Sequence, residues 1–284
     1  MNDHTWQAVA PFSEKSISTD GRTGRPLALD PVSPILPEAP DRDPAPSVWA
    51  VGDIHGQAHL LDALLAELPR RPGDYTVFLG DYLDRGPDSR RVVERVLAEH
   101  DRDPGRTILL WGNHEVAAAG YFHRPNPLAW APAGPLWPPR SFLPTLRSFG
   151  LTPSLANTDP CPELLDRLFS LLRTFWRCTL PRLEHVVFVH AGVPPGQWPE
   201  ETDPAELVSI RKEFTSVEDP SGRLVIFGHT AQPTVFQRVD KIGIDTGAGT
   251  GGPLSALQLP ASRFYQAHPD GSVKSIPLLP LYRW

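Results

Sequence analysis

The chain has 284 residues, with 33 acidic against 27 basic side chains and a formal net charge of −6. That length can bury a full core in one large domain. The acidic balance argues against a nucleic-acid partner, which needs a basic face. No run of 18 apolar residues exists, so neither a membrane-spanning helix nor a membrane partner is expected. Met1 to Pro11 lack a basic start followed by an apolar stretch, so a cytoplasmic location is the expectation. Cys161 and Cys178, the only cysteines, lie 17 positions apart in no CxxC pattern and read as reduced core residues on a helical stretch.

Residues 12 to 46 carry Pro26, Pro31, Pro34, Pro37, Pro40, Pro44 and Pro46, too many for a helix or a sheet interior. The reading is an extended or disordered leader over 1–46, with order beginning at Ser47. From there strand and helix patterns alternate: a strand at Val48 to Val51, a helix at Ala58 to Leu68 and a strand at Thr76 to Leu79. Pro87 suits the first turn of the next helix, whose apolar face is Val92, Val93, Val96 and Leu97. Thr107 to Trp111 is a third strand, and the alternation predicts a parallel sheet in an α/β fold.

Beyond a short helix at Val116 to Tyr121 comes an insert, 122–180. It opens with a loop rich in proline that carries Trp130 and Trp137, and continues with helical patterns at Ser141 to Phe149 and Pro162 to Arg177. It should overhang the site edge, either as a cap with its own core or as one wall of a substrate groove. Strand character resumes at His185 to Val189, then a helix at Pro204 to Phe214 and a strand at Leu224 to Phe227. Short strands at Thr234 to Val239, Gly243 to Asp245, Ser255 to Leu259, Arg263 to Ala267 and Ser272 to Ile276 predict an antiparallel second sheet packed on the first. The expected domain is 47–267, followed by a terminal strand and tail over 268–284.

Three blocks, Gly52-Asp53-Ile54-His55-Gly56, Gly80-Asp81-Tyr82-Leu83-Asp84-Arg85-Gly86 and Gly112-Asn113-His114-Glu115, each end a strand-like run with metal-ligand chemistry. The intervals between them leave room for a crossover helix and a return strand. His190 in Val189-His190-Ala191-Gly192 and His229 in Gly228-His229-Thr230 cap two later runs. Asp53 and His55, two positions apart in an extended segment, face the same way and can reach one ion. Asp81 can bridge two ions, Asn113 offers a neutral oxygen, and His190 and His229 offer imidazole nitrogens. Mixed oxygen and nitrogen donors without thiolate suit Mn, Fe or Zn. Two ions roughly 3.5–4 Å apart would clamp a phosphoryl group and turn a bridging water into the nucleophile.

Together these blocks resemble the metallophosphoesterases of the PPP type, the serine/threonine phosphoprotein phosphatases in their bacterial form, within the calcineurin-like superfamily. The resemblance spans residues 47 to about 260, and five blocks in this order are highly specific where any one would be weak. It implies a four-layer αββα sandwich, two mixed β-sheets flanked by helices, with two divalent ions, Mn2+ first and Fe or Zn as alternatives. Carried over by motif, one ion takes Asp53, His55 and Asp81, and the other Asp81, Asn113, His190 and His229. His114 matches the general acid, Asp84 the carboxylate that orients it, and Arg85 a phosphate-binding arginine, with Asn113 also on the phosphate. A serine alkoxide leaves poorly, so the acid is what the reaction most needs beyond the metals.

A second phosphate arginine falls between the two late histidines, where Arg211 is the best match and Arg223 the competitor. The bland readings stand beside these: Asp84 and Arg85 as a local ion pair that shapes a turn, His59, His100, His123 and His185 as histidines without motif support, and Glu115 as a hydrogen-bonding residue rather than a ligand. Asp245 and Thr246 are expected to organise the loop after the last histidine. Thr250 stands near where relatives often carry an aromatic residue, and the animal-type Ser-Ala-Pro-Asn-Tyr loop is absent.

The leading expectation is a phosphatase of phosphoprotein or phosphopeptide substrates, phosphoserine and phosphothreonine first and phosphotyrosine next, in a monomer. The alternatives are a dinucleoside tetraphosphate hydrolase with the same metal ligands, and a non-catalytic interaction module on a decayed phosphatase fold.

Overall fold

The computed structural model describes residues 45–124, 140–152 and 160–279. Most of the expected leader, the core of the tryptophan- and proline-rich loop and the last five residues lie outside them.

Two sheets face each other. The first has strands β1 (Val48–Val51), β2 (Tyr75–Phe78), β3 (Thr107–Leu109), β9 (Leu254–Leu259), β10 (Arg263–Ala267) and β11 (Val273–Pro277), in the order β11-β10-β9-β1-β2-β3. Strands β1, β2 and β3 are parallel, while β9, β10 and β11 continue the sheet antiparallel from β1. The second sheet has β4 (Phe175–Arg177), β5 (Val186–Val189), β6 (Leu224–Phe227), β7 (Phe236–Arg238) and β8 (Lys241–Gly243), in the order β4-β5-β6-β8-β7. Here β5, β6 and β8 are parallel and the edge strands β4 and β7 antiparallel.

Alternation along the strands explains the layers. Val48 and Ala50 of β1 and Val77 of β2 turn inward to meet Val186, Phe188, Ile226 and Ile242 of the second sheet. Trp49, Val51 and Phe78 turn outward against helices α1 (Ala58–Glu67), α2 (Ser89–Arg102), α3 (Asn113–Tyr121), α4 (Leu143–Ser148) and α5 (Glu163–Leu171). On the far side, Val189, Val225 and Phe227 pack against Leu207 and Phe214 of the short helices α6 (Pro204–Leu207) and α7 (Lys212–Thr215). Period-two burial on both faces yields helix, sheet, sheet, helix. Trp49, Phe78 and Phe188 are fully buried in these layers, and truncating any one to alanine costs about 3–5 kcal/mol.

Several boundaries depart from expectation. Pro87 lies outside helix α2, one residue before the cap Asp88. The helical pattern expected to Arg177 stops at Leu171, and Phe175 to Arg177 form β4, because Trp176 packs on Phe188 at 5.3 Å between ring centroids. The helix expected over Pro204 to Phe214 is two pieces, α6 and α7, interrupted where Arg211 adopts φ −131 and ψ −99. The late strands do not form a sheet of their own. Strands β7 and β8 complete the second sheet and β9, β10 and β11 extend the first, because β9 pairs with β1. Cys178 is buried and Cys161 half-buried, both as free thiols. Among the described residues no helix is long and apolar enough to cross a membrane.

Candidate active site

The parallel strands β1, β2 and β3 of one sheet and β5 and β6 of the other all deliver their carboxyl ends to the same rim. Loops there can carry polar groups while the strands behind hold them rigid. Asp53, His55, Asp81, His190 and His229 all arrive at this rim, and all are buried. His114 and Asn113 follow at the start of α3.

Asp81 is the centre. Its carboxylate lies 3.4 Å from His55 Nε2, 3.4 Å from His190 Nε2 and 3.9 Å from His114 Nε2. Two groups whose donor atoms all lie within 4.8 Å of one another share it: His55, Asp81 and His114, and Asp81, His190 and His229. Asn113 Oδ1 sits 3.2 Å from His190 Nε2. Asp53 lies outside both groups, its two oxygens each accepting the His229 backbone N–H at 3.0 Å.

Glycines make room for these contacts. A Cβ on Gly112 would stand 2.2 Å from Asp81 Oδ1, and one on Gly228 would stand 2.0 Å from Asp53 Oδ1. The backbone bends sharply as well: His55, Asp81, Asp84, Arg85 and His229 all have positive φ, between 48° and 75°. Each such residue costs roughly 1–2 kcal/mol relative to the right-handed form.

Tautomers follow from the hydrogen bonds. Nδ1 of His55 faces the Leu83 carbonyl and Nδ1 of His190 faces that of Leu79, both at 2.8 Å, so each donates there and turns an Nε2 lone pair to the centre. His229 uses Nε2 on the Ser209 carbonyl at 3.2 Å, leaving Nδ1. Burial lowers His55 to about 4, His229 to about 3, and His190 as well. All three are therefore neutral at neutral pH, as ligands must be. Burial would lower His114 too, but Asp81 and Asp84 raise it to about 9, so it is protonated. Its Nδ1–H donates to Asp84 Oδ2 at 2.5 Å. Asp84 turns to His114 rather than making the alternative local ion pair with Arg85.

The donors fit divalent metal. His55 Nε2 is buried without a hydrogen-bond partner, and the His190 lone pair faces a carbonyl oxygen of Asn113. Burial and the nearby Asp245 and Asp81 carboxylates push Asp53 up. Crowded like charges and facing lone pairs of this kind are relieved by cations.

Around this centre, Glu115 is fully buried and is a clamp: its carboxylate accepts the N–H groups of Asp81, Tyr82, Leu83 and Gly112 at 2.8 to 3.2 Å. Arg211 donates to the His229 carbonyl at 3.1 Å, whereas Arg223 is buried against Asp219 and stacks on Trp198, away from the rim. Arg85 is exposed, with its side chain beside Gly249 and close enough to Asp53 to lower it. His59 is exposed on α1, and His100 pairs with Asp101 on α2. Asp245 caps the Gly247 N–H, and Thr246 bonds the Pro253 carbonyl and Ser255. Two residues that sequence reasoning missed, Ser89 and Thr145, hold Asp84. Nothing in their local sequence announces this, because Thr145 arrives from the insert, 61 positions from Asp84.

A two-sheet sandwich with histidines, carboxylates and an asparagine at its rim defines a metal-dependent phosphoesterase. Residues 46–233 match the family model of the calcineurin-like phosphoesterases, and the chain belongs to that family. Metal-dependent phosphatase chemistry on divalent ions goes with that membership. Among curated proteins, serine/threonine-protein phosphatase 2 of Escherichia coli is 28% identical over 225 residues, 75% of this chain and 92% of that protein. A solved structure whose protein is provisionally named a diadenosine tetraphosphatase superposes with TM-score 0.53 at 22% identity, covering 84% of this chain and 96% of that one. The cold-active protein-tyrosine phosphatase of a psychrophilic Shewanella gives TM-score 0.51 at 18% identity, covering 81% and 80%. Both structural likenesses concern the fold.

Proposed function

We propose that the chain is a protein phosphatase that hydrolyses phosphoserine and phosphothreonine, with phosphotyrosine as a further substrate. The observation that carries this reading is the hydrogen bond by which Asp84 holds the His114 ring beside Asp81. A serine or threonine alkoxide needs a proton as it leaves, and a positioned acid contributes about 10²–10⁴-fold to such a step. The leaving group of a dinucleoside polyphosphate is itself a phosphate and needs that help far less. The likeness to the Escherichia coli serine/threonine phosphatase over most of both chains supports the same substrate class.

Asp53, His55 and Asp81 would hold one divalent ion, and Asp81, Asn113, His190 and His229 a second, with Mn2+ the best match to these donors. When bound, such ions supply positive charge to the phosphoryl oxygens and an activated water. The chain's own groups do the rest. Arg85 and Arg211 would bind and orient phosphate oxygens, since a guanidinium fork suits them, and Asn113 would contribute its amide. His114 would hand its Nε2 proton to the departing oxygen while Asp84 keeps the ring aligned.

The test is a rate comparison, with Mn2+ present, on phosphoserine peptides, phosphotyrosine peptides and diadenosine tetraphosphate. The expected order has phosphoserine first. A clear preference for diadenosine tetraphosphate would transfer the chain to the nucleotide hydrolases, and inactivity on all three would leave an interaction module.

A further inference from the structure

The insert between α3 and β4 does more than flank the rim. Helix α4 reaches in and touches the Asp84–His114 pair through one side chain. Thr145 is fully buried, and its hydroxyl lies 2.8 Å from Asp84 Oδ1, 2.8 Å from the Asp84 backbone nitrogen and 2.9 Å from Ser89 Oγ. A hydroxyl carries one proton and accepts at most two. A carboxylate oxygen only accepts, so the Thr145 proton goes to Asp84 Oδ1. Thr145 must then accept from the Asp84 N–H and from the Ser89 hydroxyl. All three of its bonds are made, and Asp84 Oδ2 is left facing His114.

The backbone needs holding here as well. Asp84 and Arg85 are consecutive left-handed residues, φ 75° and 65°, an arrangement an L-residue pair avoids. The insert clasps both: Thr145 takes the Asp84 N–H, and the Ser141 carbonyl takes the Arg85 N–H at 2.8 Å. Helix α4 is itself anchored. Phe142 and Leu146 are buried in the helix-side core, Phe142 meets Tyr121 edge to face at 5.1 Å, and Ser148 Oγ accepts the Arg90 N–H of α2.

We propose that Thr145 is a positioning residue for the reaction, fixing the Asp84 carboxylate so that His114 is aimed at the leaving group. The proposal rests on the phosphatase reading above. It makes the insert part of the proton-delivery machinery rather than only a wall beside it. A mobile Asp84 would still leave the metal ligands in place, so the defect should track how much the substrate needs a proton.

The experiment compares Thr145→Val, Thr145→Ala and Thr145→Ser on a phosphoserine peptide and on p-nitrophenyl phosphate, whose leaving group departs as a stable anion. Thr145→Val is expected to lower kcat on the peptide about 10–100-fold, a share of the 10²–10⁴ an acid contributes, with KM little changed and a much smaller loss on the aryl ester. Thr145→Ser keeps the hydroxyl and should restore the peptide rate. Asp84→Asn combined with Thr145→Val should be no slower than Asp84→Asn alone, since residues acting through one group are not additive. Thermal melts confirm folding, and Thr145→Ala serves if the valine variant unfolds. Equal losses on both substrates, no rescue by serine, or additivity with Asp84→Asn would overturn the proposal. A wild-type protein inactive on both esters would instead sink the phosphatase reading.

Discussion

Replacing Glu115 with glutamine exchanges one carboxylate oxygen for an NH2 group at a carboxylate that accepts four backbone N–H groups. Oε1 accepts the Tyr82 and Leu83 N–H groups and Oε2 accepts those of Asp81 and Gly112. A glutamine oxygen can keep one of those pairs, but its NH2 then points donors at donors. Two buried N–H groups lose their acceptor, at about 1–3 kcal/mol each, so Glu115→Gln should destabilise by about 2–6 kcal/mol. That is a large part of the roughly 5–15 kcal/mol that holds a domain together. Glu115→Ala strands all four and should scarcely accumulate as folded protein. The assay is urea unfolding of wild type and variant, read by tryptophan fluorescence, alongside isothermal titration with Mn2+. Because the clamp holds the Asp81 backbone, metal affinity should fall with stability. A glutamine variant within about 0.5 kcal/mol of wild type, the range of an ordinary surface change, and with unaltered Mn2+ affinity would refute the reasoning.

Arg211→Ala should raise KM for phosphopeptides several-fold and leave the fold intact, whereas Arg223→Ala should chiefly destabilise, because it strands the buried Asp219; kinetics and melts on both variants separate the roles. Stripping divalent ions with a chelator should abolish turnover and lower the melting temperature, since crowded carboxylates are left uncompensated; differential scanning fluorimetry with and without added Mn2+ checks this. Asp84 favours the acid form of His114, and that form is lost as pH rises through the raised pKa, so kcat on a phosphoserine peptide should fall on the alkaline side. His114→Asn should lose that limb, as pH profiles of the two proteins would reveal.

Much of this was legible in the residues themselves. Asp53, His55, Asp81, Asn113, His190 and His229 each follow an apolar run, and alternating strands and helices send such run ends to one edge of a sheet; which of them would share an ion is implied only by the motif resemblance. Glu115 read as a hydrogen-bonding residue of the loop rather than a ligand, and its carboxylate accepts four backbone N–H groups. Strand membership was less legible. Leu254 to Leu259 looks the same whether it starts a new sheet or pairs with β1, and only the partner across the ladder decides. Phe175 to Arg177 carried helical spacing that packing on Phe188 overrode. Thr145 was illegible, since a lone threonine on a short helix gives no sign of a carboxylate 61 positions earlier.

Five residues at the rim, His55, Asp81, Asp84, Arg85 and His229, hold a backbone shape that short peptides rarely visit. Their geometry is therefore borrowed from the whole sandwich rather than encoded beside them. A peptide excised around any one block would keep every donor atom and still fail as a chelator. Transplanting the centre into another protein would mean moving both sheets with it.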